Sequence, residues 1–172
     1  MTETTVTRTP RKGLRTGVVS ELSVILRVKE GRGQALREFF AREGADPEHV
    51  KVSMETLTAV GTLHESRYVL FDDDTRLLIA TSFDGDWDPY IEDFARSKVL
   101  ANWSRFLIHC EGFPEEDGVA ALTIDDYKEF LTGHQVTATE YYRVYPDMTV
   151  RDVLRAQRVV SAFNSLLDEA AG

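Results

Sequence analysis

The apolar positions in the first third of the chain predict one strand and one helix. Residues 18–29 are rich in β-branched side chains, which favours a strand, and Gly31 and Gly33 interrupt that run. Residues 34–43 return apolar side chains to one side at helical spacing, so a helix is expected there. Residues 44–55 show no clear period, and we predict a loop of about a dozen residues.

Two longer alternating stretches follow and predict a hairpin. Residues 57–71 form the first, residues 76–83 form the second, and three consecutive aspartates at 72–74 make a charged turn between them. Asp86 is placed as the N-cap of the next helix, where Pro89 is tolerated because the first helical N–H groups have no partner within the helix.

The last half of the chain is predicted to be mostly helical, with one strand. Thr149 caps the final helix, whose apolar side chains return to one face. The expected elements are helices over residues 87–97, 99–110, 123–133 and 150–170, and a fourth strand over residues 136–145.

The resulting order of elements is β-α-β-β-α-β with extra helices, which is the ferredoxin-like plan of an antiparallel sheet with helices on one face. The strands carry apolar residues on both faces, so the bare face needs a cover. We therefore expect an α+β protein in which two sheets close face to face into a dimeric α+β barrel. Residues 18–172 form this single domain, after a disordered basic tail over residues 1–17.

Composition narrows the possible partners. The 172 residues carry a formal charge of −9, and the basic residues Arg8, Arg11, Lys12 and Arg15 lie in the tail, so the body is more acidic still. An acidic body argues against a nucleic-acid surface. Cys110 is the single cysteine, no apolar run is long enough to span a membrane, and no apolar signal core opens the chain; a cytoplasmic protein is expected.

Ionisable side chains inside the second strand are the first candidates for chemistry. His64 and Arg67 are costly to bury unless something uses them, and Asp84 ends the neighbouring strand. On a regular strand His64 and Arg67 point to opposite faces, so they share a cavity only if a bulge intervenes. His64 is expected either to act as a general base or to be a core histidine bonded to a neighbour such as Asp84 or Tyr142.

Three short motifs resemble an uncharacterised branch of the dimeric α+β barrel superfamily. They are the Gly-Thr-x-His-x-x-Arg strand from Gly61 to Arg67, the Phe-Asp-Gly-x-Trp-Asp-x-Tyr stretch from Phe83 to Tyr90, and the segment His-Cys-Glu-Gly-Phe-Pro from His109 to Pro114. This superfamily includes antibiotic-biosynthesis monooxygenases, EthD-like proteins, chlorite dismutases and dye-decolourising peroxidases. Barrels of this type host unrelated chemistries, so the resemblance implies a fold more than a reaction.

The resemblance implies a small-molecule enzyme, with three readings left open. The first is a cofactor-independent oxygenase, cyclase or isomerase acting on an apolar or aromatic substrate. His64 would take a proton, Arg67 or Tyr142 would steady the anion, and Asp84 would assist. Trp103, Phe106 and His109 are further candidate substrate contacts. The second reading is heme, with His109 as the axial ligand, and the third is a noncatalytic ligand-binding dimer.

Metal and nucleotide sites are not expected from the sequence. The segment around His109 and Cys110 lacks the spacing of a zinc site, and no glycine-rich phosphate loop follows a strand. Cys110 is expected to be packed rather than nucleophilic. His49 and His134 are expected to lie exposed near loops or helix ends.

Overall fold

A computed structural model describes residues 6–8, 13–97 and 99–171 as an α+β fold. The strands are β1 (Val6–Arg8), β2 (Leu14–Thr16), β3 (Val19–Arg27), β4 (Leu63–Phe71), β5 (Arg76–Asp84) and β6 (Gln135–Val136). The helices are α1 (Gly33–Ala45), α2 (Pro47–Val60), α3 (Trp87–Arg96), α4 (Val99–Leu107), α5 (Ile124–His134) and α6 (Val150–Ala171), with a 3₁₀ helix at Glu116–Ala121.

The six described strands form one open antiparallel sheet. The order across it is β1, β2, β3, β5, β4, and β6 pairs with β3 on the same edge as β2. The predicted hairpin is β4–β5, and its turn is the predicted aspartate triplet. Asp72, Asp73 and Asp74 all have positive φ, at 51°, 50° and 62°. Aspartate is one of the few residues other than glycine that tolerates this conformation, because its short side chain can bond locally.

One face of the sheet carries the hydrophobic core. The side chains of β3 and β5 alternate, so that Leu22, Val24, Leu77, Ile79 and Phe83 are buried under the helices. The Phe83 ring stacks on Tyr90 of α3 at 3.9 Å between ring centroids. This helix-covered face will be called the core face, and the other the open face.

The predicted loop at residues 44–55 is wrong, because helix α2 occupies most of it. Asp46 caps the helix by accepting a hydrogen bond from the Glu48 N–H at 3.0 Å, and Pro47 occupies the first turn. The helix runs to Val60 and ends at Gly61, whose φ is 72°. The predicted start of the second strand at residue 57 is therefore also wrong. Half of α2 faces solvent, which explains its weak apolar period.

The predicted fourth strand is also wrong over most of its length. Only Gln135–Val136 pairs with β3. Residues 137–149, called the strap below, cross the open face without regular structure. The strap is held by hydrogen bonds to side chains and single backbone groups: Ala138 N donates to Glu21 Oε1 at 3.1 Å, and Val18 N donates to the Pro146 carbonyl at 2.9 Å. These contacts replace a ladder, which the alternating strap sequence had suggested.

The segment predicted to be a disordered tail contains two of the strands. Val6–Arg8 pairs with Leu14–Thr16, and the latter pairs with the start of β3. Residues 1–5 and 9–12 lie outside the described residues. Among the described helices, none combines the length and the apolar content that crossing a bilayer requires.

A β-bulge changes which side chains of β4 share a face. Leu63 pairs with Phe83 and Glu65 pairs with Ser82, so His64 is the extra residue between them. Beyond the bulge, Arg67 opposes Ala80 on the open face. The bulge turns His64 to this same face, where it meets Asp84.

Candidate active site

His64 lies in a closed hydrogen-bonded cluster at one end of the open face. Its Nε2 is 2.7 Å from Asp84 Oδ1, and Arg143 Nη2 of the strap is 2.9 Å from its Nδ1. The other carboxylate oxygen of Asp84 accepts a hydrogen bond from the Val150 N–H, at the start of α6, at 2.8 Å. The His64 and Asp84 side chains are only 9% and 12% exposed. The cluster joins two strands, the strap and the last helix.

Both ring nitrogens of His64 are occupied by these partners. A guanidinium has no acceptor atom, so Nδ1 must accept from Arg143, and Nε2 then carries the hydrogen that it donates to Asp84. A general base needs a lone pair within reach of the substrate. His64 has none to offer while the strap is in place, and this arrangement matches the core-histidine alternative, in which Asp84 was the expected partner.

The other residues predicted to act with His64 lie away from it. Arg67 is exposed and lines a small polar cleft on the open face with Glu21 and Glu65. Tyr142 is 79% exposed, and its hydroxyl donates to Glu140 at 2.8 Å. Trp103 and Phe106 pack on the core face, so the sheet separates them from His64. The predicted site residues therefore do not converge on one cavity.

An apolar groove with a volume of about 340 Å³ lies between α1, α2, α4 and strand β4. A cavity of this size falls in the range used by small-molecule sites. Its apolar lining includes Phe39, Phe40, Val50, Met54, Leu57, Tyr68, Val99, Trp103 and Phe106. We call it the helical groove.

Aromatic side chains on the core side of the groove hold one another in place. The Phe40 ring stacks on Tyr68 at 5.5 Å and lies 5.4 Å from Phe106, between ring centroids. Trp103 Nε1 donates a hydrogen bond to the Tyr68 hydroxyl at 2.9 Å. Burial raises the pKa of Tyr68, which keeps the phenol neutral and available as the acceptor. Trp103 and Phe106 thus line a groove on the core face, away from the pocket predicted around His64.

Four polar side chains form the rim of the helical groove. Glu43 of α1 accepts from Arg105 of α4 through both oxygens, at 2.8 and 3.1 Å. The same carboxylate lies 2.9 Å from His49 Nδ1. His49 Nε2 lies 3.2 Å from the hydroxyl of Ser53, one helical turn further along α2. Glu43 is 14% exposed and His49 is 30% exposed, so the rim is half-buried but open to the groove.

The partners of His49 leave one nitrogen available. The ionised carboxylate 2.9 Å from Nδ1 favours the tautomer that carries its hydrogen on Nδ1. In the neutral ring Nε2 then keeps its lone pair, which accepts from the rotatable Ser53 hydroxyl. A ligand can take the place of that hydroxyl without breaking the fold. A base oriented by a carboxylate and touching a hydroxyl is the arrangement used in general-base and nucleophilic catalysis.

His109 and Cys110 lie near each other after α4, outside the helical groove. Burial, followed by the nearby charges of Arg32 and Lys29, lowers the pKa of His109, and its Nδ1 is buried without a hydrogen-bond partner. Cys110 is fully buried, and burial raises its pKa to about 12. Among the described residues, no three His, Cys, Asp or Glu side chains are grouped so as to hold a metal ion.

Cys110 is expected to react very slowly with thiol reagents in the folded protein. Because the thiolate is the reacting form and its pKa is about 12, roughly one thiol in ten thousand is ionised at pH 8. Modification by 5,5′-dithiobis(2-nitrobenzoate) at pH 8 should be at least about a hundredfold slower in buffer than in 8 M urea. Similar rates in the two solvents would contradict the burial of this side chain.

Comparisons with family models, curated proteins and solved structures give no match to this chain. The groove and its rim therefore carry the functional argument. Sequence reasoning missed Glu43, Ser53 and Arg105, and placed His49 in a loop. The four-residue spacing of His49 and Ser53 could have indicated that the two side chains are neighbours, but this holds only if the segment is helical, and a loop was predicted there.

Proposed function

We propose that this protein is an enzyme that binds a small apolar or aromatic molecule in the helical groove and uses His49 as a general base. The observation that carries the proposal is the pair of contacts made by His49. Glu43 holds Nδ1 at 2.9 Å, while Nε2 faces a groove with a predominantly aromatic and aliphatic lining. A positioned imidazole beside an apolar cavity suits proton abstraction from an enolisable ketone or a phenol.

Each rim residue has a defined part in such a step. His49 Nε2 takes the proton, while the Glu43 carboxylate 2.9 Å from Nδ1 orients the ring. Glu43 and the bidentate Arg105 hold each other in a fixed orientation, so His49 is positioned before the substrate arrives. Aromatic side chains exclude water from the reacting carbon. Isomerisation, cyclisation and cofactor-independent oxygenation all begin with a proton transfer of this kind.

The proposed general base is therefore His49 and not His64. His64, Asp84 and Arg143 act as structural residues that fasten the strap and the start of α6 to the sheet. Arg67 and Tyr142, the predicted anion contacts, have no part in the groove reaction. Trp103 and Phe106 keep their predicted role as substrate contacts.

Membership of the dimeric α+β barrel superfamily belongs to the same proposal for the fold of one chain only, because the strap crosses the open face on which two such sheets would close. The strand order β6, β3, β5, β4 supports a ferredoxin-like plan, in which the fourth strand lies beside the first and the third lies between the first and the second. The short length of β6 is the main departure from this plan.

Heme is the cofactor that the resemblance allows, with His109 as the axial ligand. The residues around His109 do not support it. The imidazole lies near the cations Arg32 and Lys29, which add to the effect of burial in lowering its pKa, and it does not line the helical groove. We derive no step through heme.

Acyl transfer is a second candidate reaction, favoured by the contact between Ser53 Oγ and His49 Nε2. Ser53 Oγ would attack the carbonyl carbon of an ester while its proton passes to His49. The bond to the leaving alcohol then breaks, and the alcohol oxygen takes that proton. Water, deprotonated by the same imidazole, releases the acid and regenerates Ser53.

A ligand-binding experiment tests the groove itself. The bicyclic ketone 2-tetralone is a suitable probe, since it is apolar, aromatic and enolisable, and its binding can be followed by fluorescence quenching of Trp103 in a Trp87→Phe background. We expect saturable binding that Val50→Phe weakens at least about tenfold, because Val50 lines the groove.

Val52→Phe is the matched control. Val52 lies on the same helix and is exposed to a similar degree, 48% against 42% for Val50, but it does not line the groove. We expect it to leave binding unchanged. The proposed site would be contradicted if the two variants changed binding equally, or if the parent protein did not bind 2-tetralone.

A further inference from the structure

Helix α6 has an apolar face that the rest of the described chain leaves open. Its first turns touch the rest of the described chain through the buried Val150 and the half-buried Val153 and Leu154. Tyr145 and Met148 of the strap share an open pocket with one side of the helix as far as Asn164. Every residue from Arg155 to Ala170 is exposed, which is about 24 Å of helix at 1.5 Å per residue. The large apolar side chains exposed along it are Val159, Val160, Phe163, Leu166 and Leu167.

These side chains follow a seven-residue repeat. In heptad notation, three successive a positions fall every seventh residue from Ala156 onwards, and the intervening d positions are Val159 and Leu166. The e positions are also apolar, so the stripe is the wide kind that packs against another helix. Large Phe163 between small residues at neighbouring a positions leaves room for a partner side chain. The a positions are Ala156, Phe163 and Ala170, and the apolar e positions are Val153, Val160 and Leu167.

The charged residues beside the apolar stripe indicate which helix pairs with α6 and whether the pair is parallel or antiparallel. The g positions on one flank of the stripe are Arg155, Ala162 and Glu169, seven residues apart. When two such helices pair antiparallel, the same flank of each lies on the same side of the interface. Arg155 of one helix then lies beside Glu169 of the other, twice over, with Ala162 at the centre. In a parallel pair Arg155 lies beside the apolar Val160 instead.

We propose that α6 binds α6 of a second copy of this chain, antiparallel, about a twofold axis at Ala162. Such a contact is isologous, so each copy contributes the same stripe and the same flank. It accounts for a long exposed helix, since helices of this length gain most of their stability from packing an apolar face. The contact is separate from the helical groove, which no residue of α6 lines.

A charge-reversal cycle tests the pairing of Arg155 with Glu169. Arg155→Glu and Glu169→Arg should each raise the dimer dissociation constant at least about tenfold in sedimentation equilibrium at low salt, and the double variant should restore it to within about threefold. The two residues are fourteen positions apart on one helix and cannot meet within one chain, so restoration requires a second chain. Arg158→Glu and Asp168→Arg, at c and f positions, are charge-matched controls that should leave the constant unchanged.

An apolar-face variant distinguishes this contact from closure of two sheets. Phe163→Asp should give a monomer whose near-ultraviolet circular dichroism, a signal of the buried Trp87 and Trp103, is unchanged, because Phe163 is 59% exposed and lies outside the core. Val69→Asp, on the open face of the sheet, should leave the dimer intact. A monomeric parent protein at micromolar concentration, a dimer that survives Phe163→Asp, or a double charge variant that is not restored would each overturn the proposal.

Discussion

Replacing Asp84 with alanine is expected to lower the free energy of unfolding by about 3 kcal/mol. The carboxylate is 12% exposed and accepts from two donors, His64 Nε2 at 2.7 Å and Val150 N at 2.8 Å. Its removal leaves both donors without an acceptor in a place that water hardly reaches. It also leaves the Arg143 guanidinium beside His64 after the neighbouring carboxylate has been lost.

Urea denaturation followed by circular dichroism measures this effect, and Asp86→Ala is the control. Asp86 lies two residues away, but its side chain is 67% exposed and, among the described residues, forms its salt bridge with Arg15 at the surface. Its loss should cost less than about 0.5 kcal/mol. Asp84→Asn should fall between the two, since an amide oxygen can serve one of the donors but not both. Equal stabilities of the Asp84 and Asp86 variants would show that the cluster does not hold the strap and α6.

Replacing His49 with glutamine is expected to lower the rate of proton transfer by at least about a hundredfold while changing ligand affinity less than about threefold. Glutamine is close in size and can still bond to Glu43, so the groove keeps its shape. It cannot accept a proton from carbon near neutral pH. The measurement is deuterium incorporation at C1 of 2-tetralone, followed by proton NMR with each variant in deuterated buffer.

Two further variants separate the candidate reactions at the rim. Ser53→Ala should leave deuterium exchange nearly unchanged if His49 acts as a general base, and should abolish hydrolysis of 1-naphthyl acetate if Ser53 is a nucleophile. His134→Gln is the control, because His134 lies on α5 with its Nδ1 2.8 Å from the Phe130 carbonyl and does not line the groove. If His134→Gln and His49→Gln slowed exchange equally, the assignment of His49 would be wrong.

Groove binding and proton transfer are separate results. If 2-tetralone binds but the protein does not accelerate deuterium exchange, the groove is a ligand-binding site and the catalytic proposal fails. The protein would then be the noncatalytic ligand-binding protein considered above. Neither outcome bears on the α6 contact, because the two surfaces share no residues. The oligomeric state and the groove chemistry can therefore fail or succeed independently.

The sequence by itself determined the elements whose signals are local. The structure confirms the predicted strands 18–29 and 76–83, the aspartate turn, and the helices after Asp86, Thr123 and Thr149. Every end of these strands and helices agrees within two residues. Each was predicted from short-range rules: β-branched runs, aspartates in a turn, and residues that begin helices. Asp86 does lie at the start of its helix, but its side chain makes no capping hydrogen bond. Thr123 makes a capping box with Asp126, and Thr149 accepts from Asp152 N at 3.2 Å.

The tertiary structure alone decided where the candidate site lies. The bulge at His64 turned that side chain to the open face, and a residue 79 positions away, Arg143, then occupied its free nitrogen. Likewise, the Glu43 carboxylate meets Arg105 from a helix 62 residues later in the chain. Contacts between residues so far apart in the chain produce no periodic pattern in the sequence, because the position of each partner depends on how the helices and strands pack. Local spacing therefore predicted the strands and helices, while packing determined which histidine keeps a lone pair facing a cavity.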